Sequence, residues 1–251
     1  MPAHLYVITG ASRGMGLAMA EQLLQNGHYL ISLSRHANAQ LQASAEKKGV
    51  PLFQWQQDLS DSIAAGERLR QWLSEQPATA FNSATLINNA GVIAKIAPLS
   101  QADPSDLSMA LRVGLEAPMQ LASAFLNATQ AWNIPLKILN ISSGLGRRAM
   151  ASQSAYCAAK AGMDHFTRCL SLDEALKANG AKVCSLAPGV IDTDMQVQLR
   201  AASAENFPDR AGFVSLKTSG ALTSAAQAAA RIITFLQRPD FGTDPVADIR
   251  D

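Results

Sequence analysis

A doubly wound α/β domain is what this sequence predicts, and three observations predict it. Short apolar, β-rich runs recur seven times and alternate with helical stretches from one end to the other. The first run passes directly into a glycine-rich turn that opens a helix, Thr9-Gly10-Ala11-Ser12-Arg13-Gly14-Met15-Gly16. No repeat, linker or low-complexity tract divides the 251 residues, and a chain of that length with 48% hydrophobic residues can bury a large core as one unit. The expectation is a single domain over 1–251, with a seven-stranded, mainly parallel sheet, helices on both faces, and a ligand along the carboxyl edges of the strands.

Residues 5–8 form the first expected strand. In the turn after it, glycines let backbone approach a pyrophosphate, and the N–H groups opening the helix face its negative charge. The spacing is Gly-x-x-x-Gly-x-Gly, and such turns also arise for steric reasons alone, so by itself the turn is neutral between the two. Asn26-Gly27 ends the helix and residues 29–35 make the second strand. Its end is where a dinucleotide fold meets the adenosine ribose; a carboxylate there suits a free 2′-hydroxyl and a guanidinium suits a 2′-phosphate. Ser34, Arg35 and His36 stand there with no carboxylate, and Arg13 lies in the glycine turn. Either arginine alone is an ordinary surface charge, but the pair favours NADP over NAD.

A helix over 37–48, a strand over 52–57 and a helix over 60–75 continue the alternation. Asp58 follows the third strand, placed either to meet adenine or to cap the next helix. The fourth strand, 85–87, ends in Asn88-Asn89-Ala90-Gly91, where small residues admit a ribose and the amides can bridge strand ends. Gly114 and Pro118 interrupt a helical stretch over 104–132 and predict a kink or a close contact. The fifth strand, 136–141, delivers Ser142 and Ser143 to its carboxyl end, and the helix behind it runs to about Asn179-Gly180.

That helix holds Tyr156 and Lys160, four residues apart and so on one face. An ammonium beside a phenol favours phenolate, which predicts a lowered Tyr156 pKa and an acid suited to protonating a carbonyl oxygen. Taken singly, the tyrosine is a partly buried helix residue and the lysine an exposed charge. Their combination with Ser143 and the glycine turn is what points to chemistry. A sixth strand over 182–186 leads into Ala187-Pro188-Gly189-Val190-Ile191-Asp192-Thr193; residues 194–218 look like a mixed, mobile segment covering a pocket; a helix over 223–236 and a strand over 246–249 complete the chain.

Lys plus Arg number 21 against 20 Asp plus Glu, interspersed, which gives no basis for nucleic acid or an acidic membrane as partner. Cys157, Cys169 and Cys184 lack metal-ligand spacing and leave one over in any pairing, and His4, His28, His36 and His165 are scattered, so no metal site is expected. No apolar stretch reaches spanning length and the start lacks a secretory layout; with the cysteine usage, this points to a cytoplasmic protein.

With these residues in view, the chain resembles the short-chain dehydrogenase/reductases, a family of single Rossmann domains, along essentially its whole length. The matching motifs are Thr9 to Gly16, Asp58-Leu59, Asn88-Asn89-Ala90-Gly91, Ser143, Tyr156-x-x-x-Lys160 and Pro188-Gly189-Val190-Ile191-Asp192-Thr193. Within the family it is most similar to sepiapterin reductases and bacterial benzil reductases, on Leu33-Ser34-Arg35, Ala117-Pro118, Ser154-Ala155-Tyr156-Cys157, Phe166-Thr167-Arg168 and Asp192-Thr193-Asp194-Met195-Gln196. The resemblance implies that Tyr156 donates a proton to the carbonyl oxygen, that Ser143 orients that oxygen, and that Lys160 holds the nicotinamide ribose and keeps the tyrosine acidic. It implies Gly10, Ser12, Arg13, Gly14, Met15 and Gly16 around the phosphates, and Arg13 and Arg35 with Ser34 at the 2′-phosphate. Asp58 and Leu59 then fall at adenine, Asn89 and Gly91 on the adenosine side, and Pro188, Gly189, Ile191 and Thr193 at the nicotinamide.

Two departures stand out. In Val113-Gly114-Leu115-Glu116-Ala117-Pro118 a glycine occupies the place of an asparagine that, in the family, helps hold a proton-relay water. The C-terminus lacks the Gly-Gly ending common in tetrameric members, which favours a homodimer built on the long helices and leaves a tetramer open. The expected activity is NADPH-dependent reduction of a small-molecule ketone or diketone. The alternatives are a 3-oxoacyl carrier-protein reductase docking through Arg147-Arg148, and an NADPH-binding regulatory protein weakened by Gly114.

Overall fold

The computed structural model describes residues 3–251. Its strands are β1 (Ala3–Thr9), β2 (His28–Ser34), β3 (Leu52–Gln56), β4 (Phe81–Asn88), β5 (Leu136–Ile141), β6 (Lys182–Ala187) and β7 (Val246–Asp248). They form one seven-stranded sheet in the order β3-β2-β1-β4-β5-β6-β7. Every pairing is parallel, where the sequence predicted a mainly parallel sheet. The helices are α1 (Gly14–Leu23), α2 (Ala39–Lys48), α3 (Ser62–Ser74), α4 (Pro104–Leu111), α5 (Ala117–Ala128), α6 (Ser154–Ala175), α7 (Asp194–Ala201), α8 (Arg210–Thr218) and α9 (Ala225–Gln237).

The strands are apolar on both faces because helices cover both faces. Leu5, Val7, Ile31, Leu33, Leu86 and Ile138 enter a core shared with Leu69 and Leu73 of α3, Leu121 and Phe125 of α5 and Leu170 of α6. Their strand neighbours Ile8, Leu30, Ile87, Leu139 and Leu186 point the other way, into a second core with Met19 and Leu23 of α1, Leu41 of α2 and Ile232 of α9. Strand order reverses beside β1, which sends β2 and β3 to one side and β4 to β7 to the other; the crevice at the carboxyl ends of β1 and β4 follows from that.

Element ends depart from expectation for local reasons. α2 begins at Ala39, because Asn38 caps it by accepting from the Leu41 N–H at 2.9 Å. α6 stops at Ala175: the Glu174 side chain accepts from the Ala181 N–H at 2.9 Å, and Gly180 packs onto the Glu174 carbonyl. β4 reaches back to Phe81 because pairing with β1 recruits the polar Asn82 and Ser83. The long helical stretch breaks into α4, a π-helical segment Arg112–Glu116 and α5. Residues 194–218 are two helices joined by a linker whose Phe207 is fully buried among Ile96 and Leu199. Among the described residues no helix is long and apolar enough to cross a membrane.

Candidate active site

Every residue singled out above for the cofactor or for catalysis lines one cavity of about 890 Å³ at the carboxyl edge of the sheet. The glycine turn forms its floor. Gly10 and Gly14 have positive φ values of 72° and 57°, and beside Gly14 a side chain would meet open space rather than protein. At Gly16 the constraint is packing, since a Cβ there would run into the Gly10 carbonyl and the Asn89 amide. Arg13 occupies the N-cap position of α1 but makes no capping bond, and the first turn of the helix carries no acidic residue. The opening N–H groups of α1 therefore have no side-chain partner and face a cavity, as an anionic pyrophosphate requires.

The adenosine side fits the same group. The Ser34 hydroxyl, at the end of β2, is buried without a partner. Asp58 does not cap α3, since Asp61 does so by accepting from the Ala64 N–H at 3.2 Å. Bonds from Ser60 and, more weakly, the Arg35 charge hold the Asp58 carboxyl below its ordinary value. Asn89 donates to the Thr9 carbonyl at 2.9 Å, while the Thr9 hydroxyl accepts from the Asn89 N–H at 2.9 Å and the Ala90 N–H at 3.0 Å, so β1 and β4 are locked at the crevice. Asn88 serves the fold instead: it donates to Asn140 at 2.8 Å, and Asn140 donates to Thr167 at 2.9 Å, a buried ladder joining β4, β5 and α6. Arg13, expected at the 2′-phosphate, is paired with Asp194 of α7 at 2.7 Å across the mouth of the cavity.

Ser143, Tyr156 and Lys160 line the same cavity, on the side expected to take the nicotinamide. Ser143 caps a 3-10 turn, Gly144–Gly146, by accepting from the Leu145 N–H at 3.2 Å. Tyr156 is partly buried, its ring lining the cavity inside dense surroundings. Burial pushes its pKa above the ordinary tyrosine value, against a smaller lowering from the Ser143 side chain. The sequence predicted the opposite direction. The reason is that the Lys160 ammonium lies 5.8 Å from the Tyr156 ring centroid and donates to the Ile141 carbonyl at 2.7 Å. Burial draws Lys160 itself down to about 8, with the neighbouring Asp164 charge resisting.

The walls come from Leu145, Arg147, Arg148 and Met150 and from Asp194, Met195, Gln196, Leu199 and Phe213, the last five within the segment expected to cover a pocket. Ile93, Met109, Gln153, Asp248 and Arg250 also line the cavity and carry no motif that could have marked them. Ser152, at φ 60°, donates to the Asn206 carbonyl at 2.5 Å and so ties the loop before Tyr156 to the linker between α7 and α8. Arg147, expected on a basic docking surface, stays exposed but donates to the Ala247 carbonyl at 2.7 Å. Asp164, which the sequence reading passed over, is buried one turn beyond Lys160.

Residues 4–204 match the family model described as short chain dehydrogenase. A benzil reductase ((S)-benzoin forming) of Bacillus cereus is 35% identical over 235 residues, covering 94% of each chain. The sepiapterin reductase of Meriones unguiculatus is 28% identical over 256 residues, covering 98% of this chain and 95% of its own. Among solved structures, a short-chain dehydrogenase/reductase from Burkholderia vietnamiensis superposes with a TM-score of 0.65 at 32% identity, covering 100% of this chain and 98% of that one.

Proposed function

The chain belongs to the short chain dehydrogenase family of oxidoreductases, and from that premise we propose that it is an NADPH-dependent carbonyl reductase acting on bulky ketones, aromatic 1,2-diketones above all. What carries this reading is the meeting of Ser143, Tyr156 and Lys160 in the cavity onto which the uncapped turn of α1 opens. Arg35, Ser34 and His36 line its adenosine end with no carboxylate at the end of β2, which favours a 2′-phosphate over a free hydroxyl. Met150, Met195, Leu199 and Phe213 give the substrate side an apolar wall, which suits an aromatic diketone better than a polar pterin, and the benzil reductase likeness agrees.

When bound, the reduced nicotinamide supplies the hydride that goes to the carbonyl carbon. Tyr156 gives its hydroxyl proton to the carbonyl oxygen, and its raised pKa keeps that proton in place until negative charge develops there. The Ser143 hydroxyl donates to the same oxygen and orients it. Lys160 places a positive charge beside the tyrosine and the cofactor ribose, which favours the tyrosinate left behind. Residues 194–218 cover the substrate. Association through the long helices has support in the exposure of Leu172 and Leu176 on and just beyond α6. Arg147 spends its guanidinium on the Ala247 carbonyl and Asp164, which leaves Arg148 as the unpaired arginine of the pair that an acyl-carrier protein would dock on.

NADPH oxidation on a panel of benzil, a pterin side-chain ketone and an acetoacetyl thioester tests this reading. Turnover should be fastest on benzil, and Tyr156→Phe should lower kcat by about 10²- to 10⁴-fold. Wild-type turnover in that variant removes Tyr156 from the mechanism, and preference for the thioester replaces the substrate class.

A further inference from the structure

Asp164 lies one helical turn beyond Lys160 on α6, and nothing in the chemistry above employs it. It is 2% exposed. Ser185 of β6 donates to its Oδ1 at 2.6 Å, whereas Oδ2 accepts no hydrogen bond, although the Arg147 Nε is 3.4 Å away. A buried carboxylate with an unsatisfied oxygen is unfavourable unless cations stand close. Arg147 is one, and Lys160, a helical turn back on α6, is the other charge acting on it. Arg147 belongs to the turn behind Ser143 and is fixed there by its bond to the Ala247 carbonyl. Gly146 of the same turn packs so tightly that a Cβ would come 2.8 Å from Asp164 Oδ2 and 3.0 Å from the Lys160 carbonyl. The turn carrying Ser143 and the helix carrying Tyr156 and Lys160 therefore meet at this carboxylate.

Among the described residues Asp164 is the carboxylate that acts on Lys160. Its ammonium is buried and bonds a neutral carbonyl, that of Ile141. On its own helix it faces Tyr156, whose ring centroid is 5.8 Å away, and Asp164; Arg147 and the neutral thiol of Cys184, pushed up to about 12 chiefly by burial, act on Asp164. Asp248 at the end of β7 is taken by Arg250 at 2.6 Å. From the packed π-helical segment and α4, Arg112 and Glu116 are exposed and Asp106 accepts from the Lys95 N–H.

We propose that Asp164 is a positioning residue of the reductase: its buried carboxylate keeps the Lys160 ammonium charged and pins the turn behind Ser143 to the helix of Tyr156 and Lys160. The proposal rests on the reductase reading of those three residues. Asp164→Asn keeps an acceptor for Ser185 and removes the charge; Asp164→Leu removes the charge without leaving an amide to satisfy. In the wild-type enzyme kcat/KM should fall on the alkaline side near the Lys160 value of about 8. Both variants should move that limb down by about one pH unit, a loss of roughly fivefold at about pH 8 with little change below about pH 6. A merely structural role lowers activity evenly across pH, and a limb that stays in place overturns the proposal.

A second readout needs neither turnover nor a variant at Asp164. In unmodified protein the carboxyl carbon of Asp164, followed by NMR, should shift as Lys160 titrates, and the step should disappear in Lys160→Met. A carboxyl signal with no such step overturns the proposal whatever the variants do. Wild-type protein that turns over no carbonyl at any pH sinks the reductase reading instead, and the NMR titration then decides the role of Asp164 alone.

Discussion

Gly114 is where the chain departs from its family's pattern, and its surroundings decide what restoring a side chain would do. It is buried in the π-helical segment, and a Cβ there would lie 3.1 Å from the Cβ of Ala159, the residue before Lys160. Contacts that short require a neighbour to yield, and Ala159 is fixed in the middle of a packed helix. Gly114→Asn should therefore lose about 1–2 kcal/mol in urea denaturation, the gain in helix propensity offsetting only part of the overpacking. Its kcat should fall or stay level, because pushing α6 displaces Lys160. A rise in kcat on a stable variant would mean that the missing amide, not the packing, governs the site. The sequence predicted a kink or a close contact at this glycine, and the close contact is present, beside a π-helical turn. It could not show the partner, since Ala159 comes near only after α6 docks. The direction of the Tyr156 shift was hidden for the same reason: residue spacing reveals a nearby ammonium but not the burial that outweighs it.

At the scale of elements, residues 194–218 were the least legible. Their mixed composition gave no helix, yet α7 and α8 both form, held by Phe207, which is fully buried. The base of the segment is also closed, with the Asp192 N–H donating to the Thr223 carbonyl at 2.9 Å and the Thr223 N–H to the Val190 carbonyl at 3.0 Å. A single buried aromatic and two backbone bonds are weak signals in a sequence and strong ones in a fold. The outer end is joined to the glycine turn by the Arg13–Asp194 pair, whose side chains are 68% and 66% exposed, so water and salt screen it heavily. If an anionic cofactor binds Arg13 as proposed, α7 would compete with it for that guanidinium. Asp194→Ala should lower the Kd for NADPH by about two- to fivefold, the range a screened ion pair allows, and the gain should shrink as salt is added. Fluorescence titration at low and high ionic strength measures both. Weaker binding at low salt would show that Asp194 assists the cofactor instead.

For the whole molecule, the alternation of strands and helices predicted the doubly wound class but not the strand order, which parallel crossovers of one hand narrow to a few arrangements. The site then follows from topology. The crevice where the order reverses gathers the turn after β1, the ends of β2, β4 and β5, and the helix behind β5, which is why motifs scattered over the chain line one cavity. On the NADPH reading, cofactor choice would be made where Ser34 and Arg35 line the cavity at the end of β2. With Arg13 committed to Asp194, Arg35 is the guanidinium of the pair that remains for a 2′-phosphate, beside Ser34 with its unpartnered hydroxyl. A ligand that binds only the folded protein raises its stability by about 2.7 kcal/mol at a hundredfold excess over Kd, which for a domain of this size is a Tm increase of roughly 5–10 °C. NADP⁺ should give that shift at a concentration where NAD⁺ gives a small fraction of it, and high salt should narrow the gap. Arg35→Asp should reverse the order, because a carboxylate repels the phosphate and accepts from a free 2′-hydroxyl. Equal shifts from both cofactors in the wild-type protein would move the basis of selection away from the end of β2.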